Sequence, residues 1–403
     1  MLGHQKVLYA QDYAVPEPVI CGYSLEDSHI RVLSSSVANA KEAKALATFE
    51  VTFTDFPEQA KNAFNLAVSY WANTLVSTVP IRVNAVWGNV SGTTLASSGA
   101  TKIFRNFQNV PYFDVWYPVA LAESISGKNL NGNEYDINVS VNPNMDWSYD
   151  LNGNAFSGKF DFTTVMLHEL AHGLGFASSM KLINNNTQGE WGYKNMPYVY
   201  DLYVQNGQAE NLIDKAIFTN ASEGLMAQFQ SDNLYFDISI EEYIGGKPRL
   251  YAPARYQSGG SISHTHEEMY AGGTSAALMT PTIFSAEVIH EPGDLNKAIL
   301  SQMGWGIRNF SSAILLSATP VEQSLKVYPN PASEIIKVYI PASMAHTSAE
   351  ISIIDYQGRV VKSLNYLPSQ EAVGINISDL NSGLYFLTYK TDSLKHTRKF
   401  IKQ

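Results

Sequence analysis

The stretch His168–Phe176 reads HELAHGLGF and places two histidines four residues apart, with a glutamate beside the first. Residues four apart lie on the same face of an α-helix, so the imidazoles of His168 and His172 can bind one metal ion. Zinc suits imidazole ligands, and a catalytic zinc site keeps one position open for water. Glu169 is then placed to act as the general base that takes a proton from this water.

The residues around this motif predict that it lies on a helix. The run KFDFTTVMLHEL, from residue 159, has apolar side chains at helical spacing and offers Asp161 or Thr163 as N-cap. Gly173 and Gly175 follow, where a helix end tolerates positive φ. A structural helix with two incidentally spaced histidines is the alternative that the motif leaves open.

A zinc peptidase needs a third protein ligand, and families of zinc peptidases differ in where this ligand lies in the sequence. Gly175 extends the motif to HExxHxxG, the metzincin pattern, but the histidine expected three residues later is Ser178. A glutamate ligand on a following helix is also not indicated, because Glu190 lies in the polar run NNNTQGEWG. Further downstream, the run SISHTHEEMYAGGTSAALMTP offers His264 and His266.

These two motifs, in this order, resemble those of the leishmanolysin-like metzincins. That family places its third histidine far downstream, in a Ser-His context shortly before a Met-turn. By this resemblance His264 is the third ligand and Met279 is the Met-turn residue beneath the metal. His266 remains the alternative ligand, and ordinary core packing remains the alternative for Met279. The resemblance covers only these motifs.

The resemblance implies a fold and an activity. The expected fold class is an α+β metzincin-type catalytic domain, with a twisted sheet and an active-site helix. The strand pattern of the tail adds a small all-β immunoglobulin-like sandwich after it. The expected activity is that of a secreted endopeptidase, with one catalytic Zn²⁺ and with proteins or peptides as substrates. A non-catalytic surface adhesin or binding protein that retains the motif is the alternative, although such a protein has no use for Glu169.

Hydrophobic periodicity predicts several elements around the motif. By the resemblance, the strand near residues 135–141 is a sheet edge along the cleft, where extended substrates add as a further strand. The predicted strands are Phe49–Phe53, Ile81–Trp87 and Tyr135–Val141, and the predicted helices are Phe56–Val76, Tyr198–Gln205, Asn211–Phe218 and Asp294–Met303.

Two further features leave alternatives open. Asp146, Asp150, Asn152 and Asn154 have a spacing faintly like a calcium loop, but the bidentate glutamate is missing, so an ordinary polar loop is favoured over Ca²⁺. His290 could lie near the metal or contact substrate, whereas a surface or capping role is favoured.

The tail from Lys326 contains some seven short β-type runs separated by turn signals, the pattern of an immunoglobulin-like sandwich. Its elements, which include VYPNP, the Asp355–Arg359 turn, LNSGLY and a basic ending, resemble the C-terminal sorting domain of type IX secretion. This resemblance implies export through a bacterial outer membrane, the secretion machinery as partner, and a secreted or cell-surface location. A carbohydrate-binding or adhesive sandwich is the alternative.

The length of 403 residues predicts two domains, or one large and one small domain. The net charge of −10 argues against nucleic acid as a partner, and no apolar run is long enough for a transmembrane segment. The first residues lack the apolar region of a signal peptide, so we expect a cut or misassigned start. The predicted segments are a pro-segment or leader remnant at 1–47, the peptidase domain at 48–308, a linker at 309–325 and the sorting domain at 326–403.

Cys21, the single cysteine, lies in the predicted pro-segment. It excludes an intramolecular disulfide. Several metzincins, leishmanolysin among them, stay latent because a pro-segment thiolate occupies the open zinc position, and Cys21 is a candidate for this latency switch. The residues around Cys21-Gly22 do not match the matrix-metalloproteinase motif, so an ordinary buried or exposed cysteine is favoured.

Overall fold

The structure is a computed structural model that describes residues 12–28, 30–33, 46–88, 90, 92, 94–239, 246–270, 274–308, 326–328, 332–339, 349–355, 357–366, 372–391 and 395–403. The chain forms two compact units, which comprise chiefly Met1–Ser312 and Ala313–Gln403.

Most elements of the described chain are short strands. The first unit has β1 (Asp12–Ala14), β2 (Val19–Ile20), β3 (Gly22–Asp27), β4 (Arg31–Leu33), β5 (Phe49–Thr54), β6 (Leu75–Val76), β7 (Ile81–Trp87), β8 (Ala96–Ala100), β9 (Ile103–Arg105), β10 (Tyr117–Pro118), β11 (Ile137–Val141), β12 (Trp147–Ser148), β13 (Phe160–Asp161), β14 (Lys181–Ile183), β15 (Gln188–Glu190), β16 (Val204–Asn206), β17 (Leu234–Phe236), β18 (Thr282–Ser285), β19 (Val288–His290) and β20 (Gly306–Ile307). The tail has β21 (Lys326–Tyr328), β22 (Ile335–Tyr339), β23 (Ala349–Asp355), β24 (Val360–Tyr366), β25 (Ala372–Asn376), β26 (Gly383–Lys390) and β27 (Lys395–Lys402).

The helices of the described residues all lie in the first unit. They are α1 (Glu58–Thr74), α2 (Val119–Ser126), α3 (Phe162–Gly173), α4 (Glu223–Phe229), α5 (Glu267–Tyr270) and α6 (Gly293–Met303), with two 3-10 helices at Tyr200–Tyr203 and Ser275–Met279.

The predicted fold class, an α+β metzincin-type domain followed by an immunoglobulin-like sandwich, is wrong. The described residues are mostly β-strands in many small sheets, with few helices. Ten sheets are present among them, and six of these contain only two strands. Periodicity identifies single elements, but it carries no information on how short strands are shared among sheets.

The largest sheet has five strands in the order β2-β8-β11-β7-β5. On it packs α3, which contacts β8 and β11, and α1 packs against α3. The indole N–H of Trp71 in α1 donates to the carbonyl of Leu167 in α3 at 2.9 Å. Gly173, at the end of α3, lies so close to the Ile137 side chain that an added Cβ would clash, so glycine is needed there for close packing of helix on sheet.

The strand predicted to form the cleft edge lies in the interior of this sheet. β11 pairs in parallel with β7 on one side and antiparallel with β8 on the other. The outer neighbour of β8 is β2, with Val19 opposite Ser98 and Ile20 opposite Ser97. The edge strand on this side of the sheet is therefore β2, from the N-terminal segment, and it pairs with β8, which α3 contacts.

Residues 12–33 contribute more buried side chains to the fold than their sequence predicts. Ala14, Val19, Cys21 and Ile30 are buried. The four strands of this segment each pair with a strand from elsewhere in the first unit: β1 with β9, β2 with β8, β3 with β18 and β4 with β19. Alternation in so short a segment is too weak to predict these pairings from sequence.

Two predicted helices after α3 are also wrong. Residues 198–205 form the 3-10 helix Tyr200–Tyr203 followed by β16, and residues 211–218 form turns rather than a helix. In the tail, the sheets β21-β22-β25 and β24-β23-β26-β27 share one apolar core that includes Ile336, Ile351 and Leu387.

Candidate functional site

The helix α3 is fixed at its start by a buried polar pair. Asp161 is the N-cap, and its carboxylate accepts from the Thr164 N–H at 2.8 Å. The same oxygen lies 2.8 Å from the His290 Nε2, and both side chains are buried. His290 therefore supports the cap of the helix, which agrees with its predicted capping role, and the N-cap prediction for Asp161 is confirmed.

Three histidines from distant parts of the chain point their Nε2 atoms at a common point. The Nε2 atoms of His168 and His172 are 2.9 Å apart. That of His264 lies 3.2 Å from His172 and 3.3 Å from His168. All three residues are buried.

The other ring nitrogen of each histidine faces a backbone carbonyl. The Nδ1 atoms of His168, His172 and His264 lie 2.5 Å from the Leu278 oxygen, 2.7 Å from the Phe176 oxygen and 2.7 Å from the Gly260 oxygen, respectively. A carbonyl only accepts, so this arrangement assigns the ring proton to Nδ1 and leaves an Nε2 lone pair directed at the common point. These three backbone groups have no signal in the sequence, because their role depends only on where the chain passes.

Cys21 completes the group from the N-terminal segment. Its Sγ lies 2.8 Å from the His168 Nε2 and 3.6 Å from the Nε2 atoms of both His172 and His264. The four potential ligand atoms all lie within 4.8 Å of one another. Among the described residues, this is the one group of three or more His, Cys, Asp or Glu side chains close enough to share a metal ion.

Burial shifts the protonation of the whole group. Burial lowers the pKa of His168 to about 3 and the pKa of His264 to about 4. The charge of His264 lowers the pKa of His168 further. Burial also lowers the pKa of His172 well below its usual value. Burial also raises the pKa of the Cys21 thiol, as does the nearby Glu169 carboxylate. The imidazoles are thus neutral lone-pair donors near neutral pH.

Glu169 is fully buried beside the histidines, and neither carboxylate oxygen makes a hydrogen bond of good geometry. Burial raises the pKa of this carboxyl to about 8, while the neighbouring Cys21 thiol opposes that shift. Burying a carboxyl group in this way is costly, and groups with strongly shifted pKa values are enriched at functional sites.

The other residues singled out in the sequence lie elsewhere or have ordinary roles in the fold. His266 Nε2 lies 3.1 Å from an Asp232 oxygen, away from the three-histidine group. Met279 is buried at the end of a 3-10 helix, and its carbonyl accepts from the Thr265 N–H at 2.8 Å, beside His264. In the polar loop, one Asp150 oxygen accepts from the N–H groups of Asn152 and Asn154.

The tail is where comparison with known proteins is most informative. Residues 326–403 match the family model of the secretion system C-terminal sorting domain. The protein is exported by type IX secretion. It is therefore delivered to the cell surface or the outside, with the type IX machinery as partner. Within the described residues, no helix is both long and apolar enough to cross a membrane.

The first unit has weaker similarities. A family model described as SPBPB7E8-like matches residues 115–245, which include His168, Glu169 and His172 but not Cys21 or His264. No protein with a curated description matches the chain. Among eight matching chains of solved structures is "Biofilm associated protein - BSP domain", at 11% identity and a TM-score of 0.18. The match covers 20% of this chain and 14% of that chain, so the protein spans only a small part of that structure's length.

Proposed function

We propose that the first unit is a zinc-dependent endopeptidase that Cys21 holds inactive in the full chain. The observation that carries this proposal is the convergence of three imidazole nitrogens and one sulfur on a common point, with Glu169 beside them. The similarity of the two sequence motifs to those of leishmanolysin-like peptidases supports the same activity. That similarity concerns the site and does not extend to the fold.

The donor set fits a zinc ion. Three Nε2 lone pairs lie 2.9 to 3.3 Å apart with at most one thiol proton among them, an arrangement that is repulsive without a cation. Zn–N bonds are about 2.1 Å long and Zn–S bonds about 2.3 Å long. Around one tetrahedral zinc ion, any two ligand atoms are therefore roughly 3.4 to 3.6 Å apart. The separations in this site, 2.8 to 3.6 Å, are close to these values. These distances support zinc as the ion that this site would bind.

The residues of this site have distinct roles in the proposed peptide hydrolysis. Zn²⁺ held by these residues would supply a Lewis acid for the scissile carbonyl and for water. Glu169 takes the proton of the attacking water and delivers it to the leaving amine. His168, His172 and His264 are held in orientation by the backbone carbonyls that accept from their Nδ1 atoms. Cys21 occupies the position that substrate and water need.

Removal of the base tests the peptidase activity. In activated protein, Glu169→Gln should retain bound zinc and lower the rate of casein hydrolysis by at least about 100-fold, because general base catalysis contributes on that scale. Glu190→Gln is the control, since Glu190 lies on β15 outside the site. Hydrolysis by Glu169→Gln at the wild-type rate would contradict the proposal.

The inhibitory role of Cys21 is tested separately. The wild-type full chain should hydrolyse casein only after treatment with a thiol-binding mercurial or after removal of the N-terminal segment, whereas Cys21→Ala should be active at once. A wild-type chain that is fully active with the segment in place would contradict the inhibitory role. Zinc binding by Cys21→Ala with no hydrolysis of any protein would favour a non-catalytic binding protein.

A further inference from the structure

We infer that residues 12–33, here called the N-terminal strap, are held by strand pairing on both sides of the Cys21 position. A cut in the chain after residue 33 therefore leaves the strap bound. A role of the strap in regulation rests on the peptidase function proposed above. Its retention after a cut does not depend on that function. Cleavage alone is then insufficient for activation, and the strap has to be displaced or digested.

On the N-terminal side of Cys21, the strap is bound as an antiparallel strand. β1 pairs with β9 and β2 pairs with β8. Gly99 in β8 allows the strap backbone to come close, since an added Cβ would lie 3.2 Å from the Pro18 Cα. Ala14 packs into an apolar cluster with Ile103 and Trp116. This half therefore has both a backbone ladder and buried apolar contacts.

On the C-terminal side, the pairing is parallel and side chains lock it. β3 pairs with β18 and β4 pairs with β19. One Asp27 oxygen accepts from the Ser285 hydroxyl at 2.7 Å and from the Gly158 N–H at 3.1 Å. The Arg31 Nε donates to the Gly153 carbonyl at 2.8 Å. These contacts do not involve the thiol.

The strength of this hold decides what a cut would do. Chain linkage contributes an effective concentration in the mM range for a short flexible linker. A cut removes only that contribution, so a peptide whose dissociation constant is far below about 1 mM stays bound. Each backbone or side-chain hydrogen bond lowers the dissociation constant of the strap, and the strap makes such bonds along both halves.

The test replaces residues 36–42 of the full chain with the recognition sequence of a specific protease. After complete cutting, native size-exclusion chromatography followed by mass spectrometry measures whether the N-terminal fragment elutes with the rest. We expect co-elution for wild type and also for Cys21→Ser. Loss of the fragment from wild type, or from Cys21→Ser alone, would overturn the inference. Should Cys21→Ser fail to fold, chelator-treated wild type serves the same purpose.

A pair of variants on β3 tests the C-terminal half of the strap. Asp27→Ala removes the bonds to Ser285 and Gly158 and should speed fragment loss after cutting by about tenfold, the equivalent of about 1.4 kcal/mol. Glu26→Ala makes the same charge change at an exposed neighbour and should leave the rate unchanged. Equal loss rates for the two variants would overturn the contribution of this half. Both readouts are independent of peptidase activity.

Discussion

At the residue scale, the two ring nitrogens of each histidine in the site have different partners. The Nδ1 atom of each ring lies against a backbone carbonyl, which leaves the Nε2 atom available to bind a metal ion. The sequence motif identifies His168, Glu169 and His172, because helical spacing alone brings them together. It leaves His264 and His266 open, since their difference depends on Asp232, a partner 34 residues away that binds His266. The residues around Cys21 also do not decide between a latency switch and an ordinary cysteine.

The two candidate third ligands can be separated by metal content. We expect His264→Ala to lose most of its bound zinc, because it removes one of the three converging Nε2 atoms. His266→Ala should retain zinc, since that ring is bound to Asp232 instead. The measurement is zinc per chain by elemental analysis of purified protein. Equal loss in both variants, or loss only in His266→Ala, would contradict the ligand assignment.

At the element scale, the sequence predicts the long regular pieces well. The strands at 49–54, 81–87 and 137–141 and the helices at 58–74, 162–173 and 293–303 are confirmed within a few residues. Each has apolar residues at a clear period of two or between three and four. The shorter strands and the 3-10 helices fall below the length at which a period is readable. The position of β8 between β2 and β11 depends on long-range pairing, which no local pattern encodes.

The N-cap of α3 is an element-scale feature with a measurable cost. Asp161→Ala removes the cap bond to Thr164 and leaves His290 buried without its acceptor. We expect a loss of about 2 kcal/mol in the free energy of unfolding of the first unit. Asp161→Asn, which keeps an acceptor oxygen, should lose much less. Denaturant unfolding measured by tryptophan fluorescence gives both values, and equal stability of Asp161→Ala and wild type would contradict the capping role.

A buried acid in α2 predicts a pH dependence of stability. Burial raises the pKa of Glu123 to about 7, with a further contribution from Asp136. The folded state thus binds a proton that the unfolded chain releases at lower pH, so the stability gained is present in acid and lost as the pH rises through about 7.

The test compares wild type with Glu123→Gln. The substituted amide oxygen can still accept from the N–H groups of Leu130 and Asn131. The free energy of unfolding of wild type should fall from pH 5 to pH 8 more steeply than that of the variant. Parallel pH profiles for the two proteins would contradict this assignment.

At the scale of the whole molecule, the two units differ in how much their sequences reveal. The tail has many turn signals and short alternating strands, and its relation to sorting domains is found along its full length. The first unit is organised by its motif, yet the fold class predicted from that motif is wrong. A catalytic motif depends on a few residues around one helix, and such a helix can be supported by different arrangements of strands.

Deletion of the tail tests the export route. Without Lys326–Gln403, the protein should accumulate inside the outer membrane instead of reaching the medium or the cell surface. The exported wild-type form should lack roughly its last 80 residues, because the resemblance to type IX cargo implies that the tail is removed during export. Fractionation with immunoblotting and intact mass measures both. Export of the truncated chain at wild-type levels would contradict the route, and an intact tail on the exported form would contradict its removal.

The most direct test of the account is zinc K-edge X-ray absorption on the purified full chain. We expect three nitrogen neighbours at about 2.0–2.1 Å and one sulfur neighbour at about 2.3 Å. In Cys21→Ser the sulfur neighbour should disappear while the three nitrogens remain. A chain that binds no zinc, or a zinc site without sulfur in the wild-type protein, would contradict the claim that His168, His172 and His264 hold zinc with Cys21 as its fourth ligand.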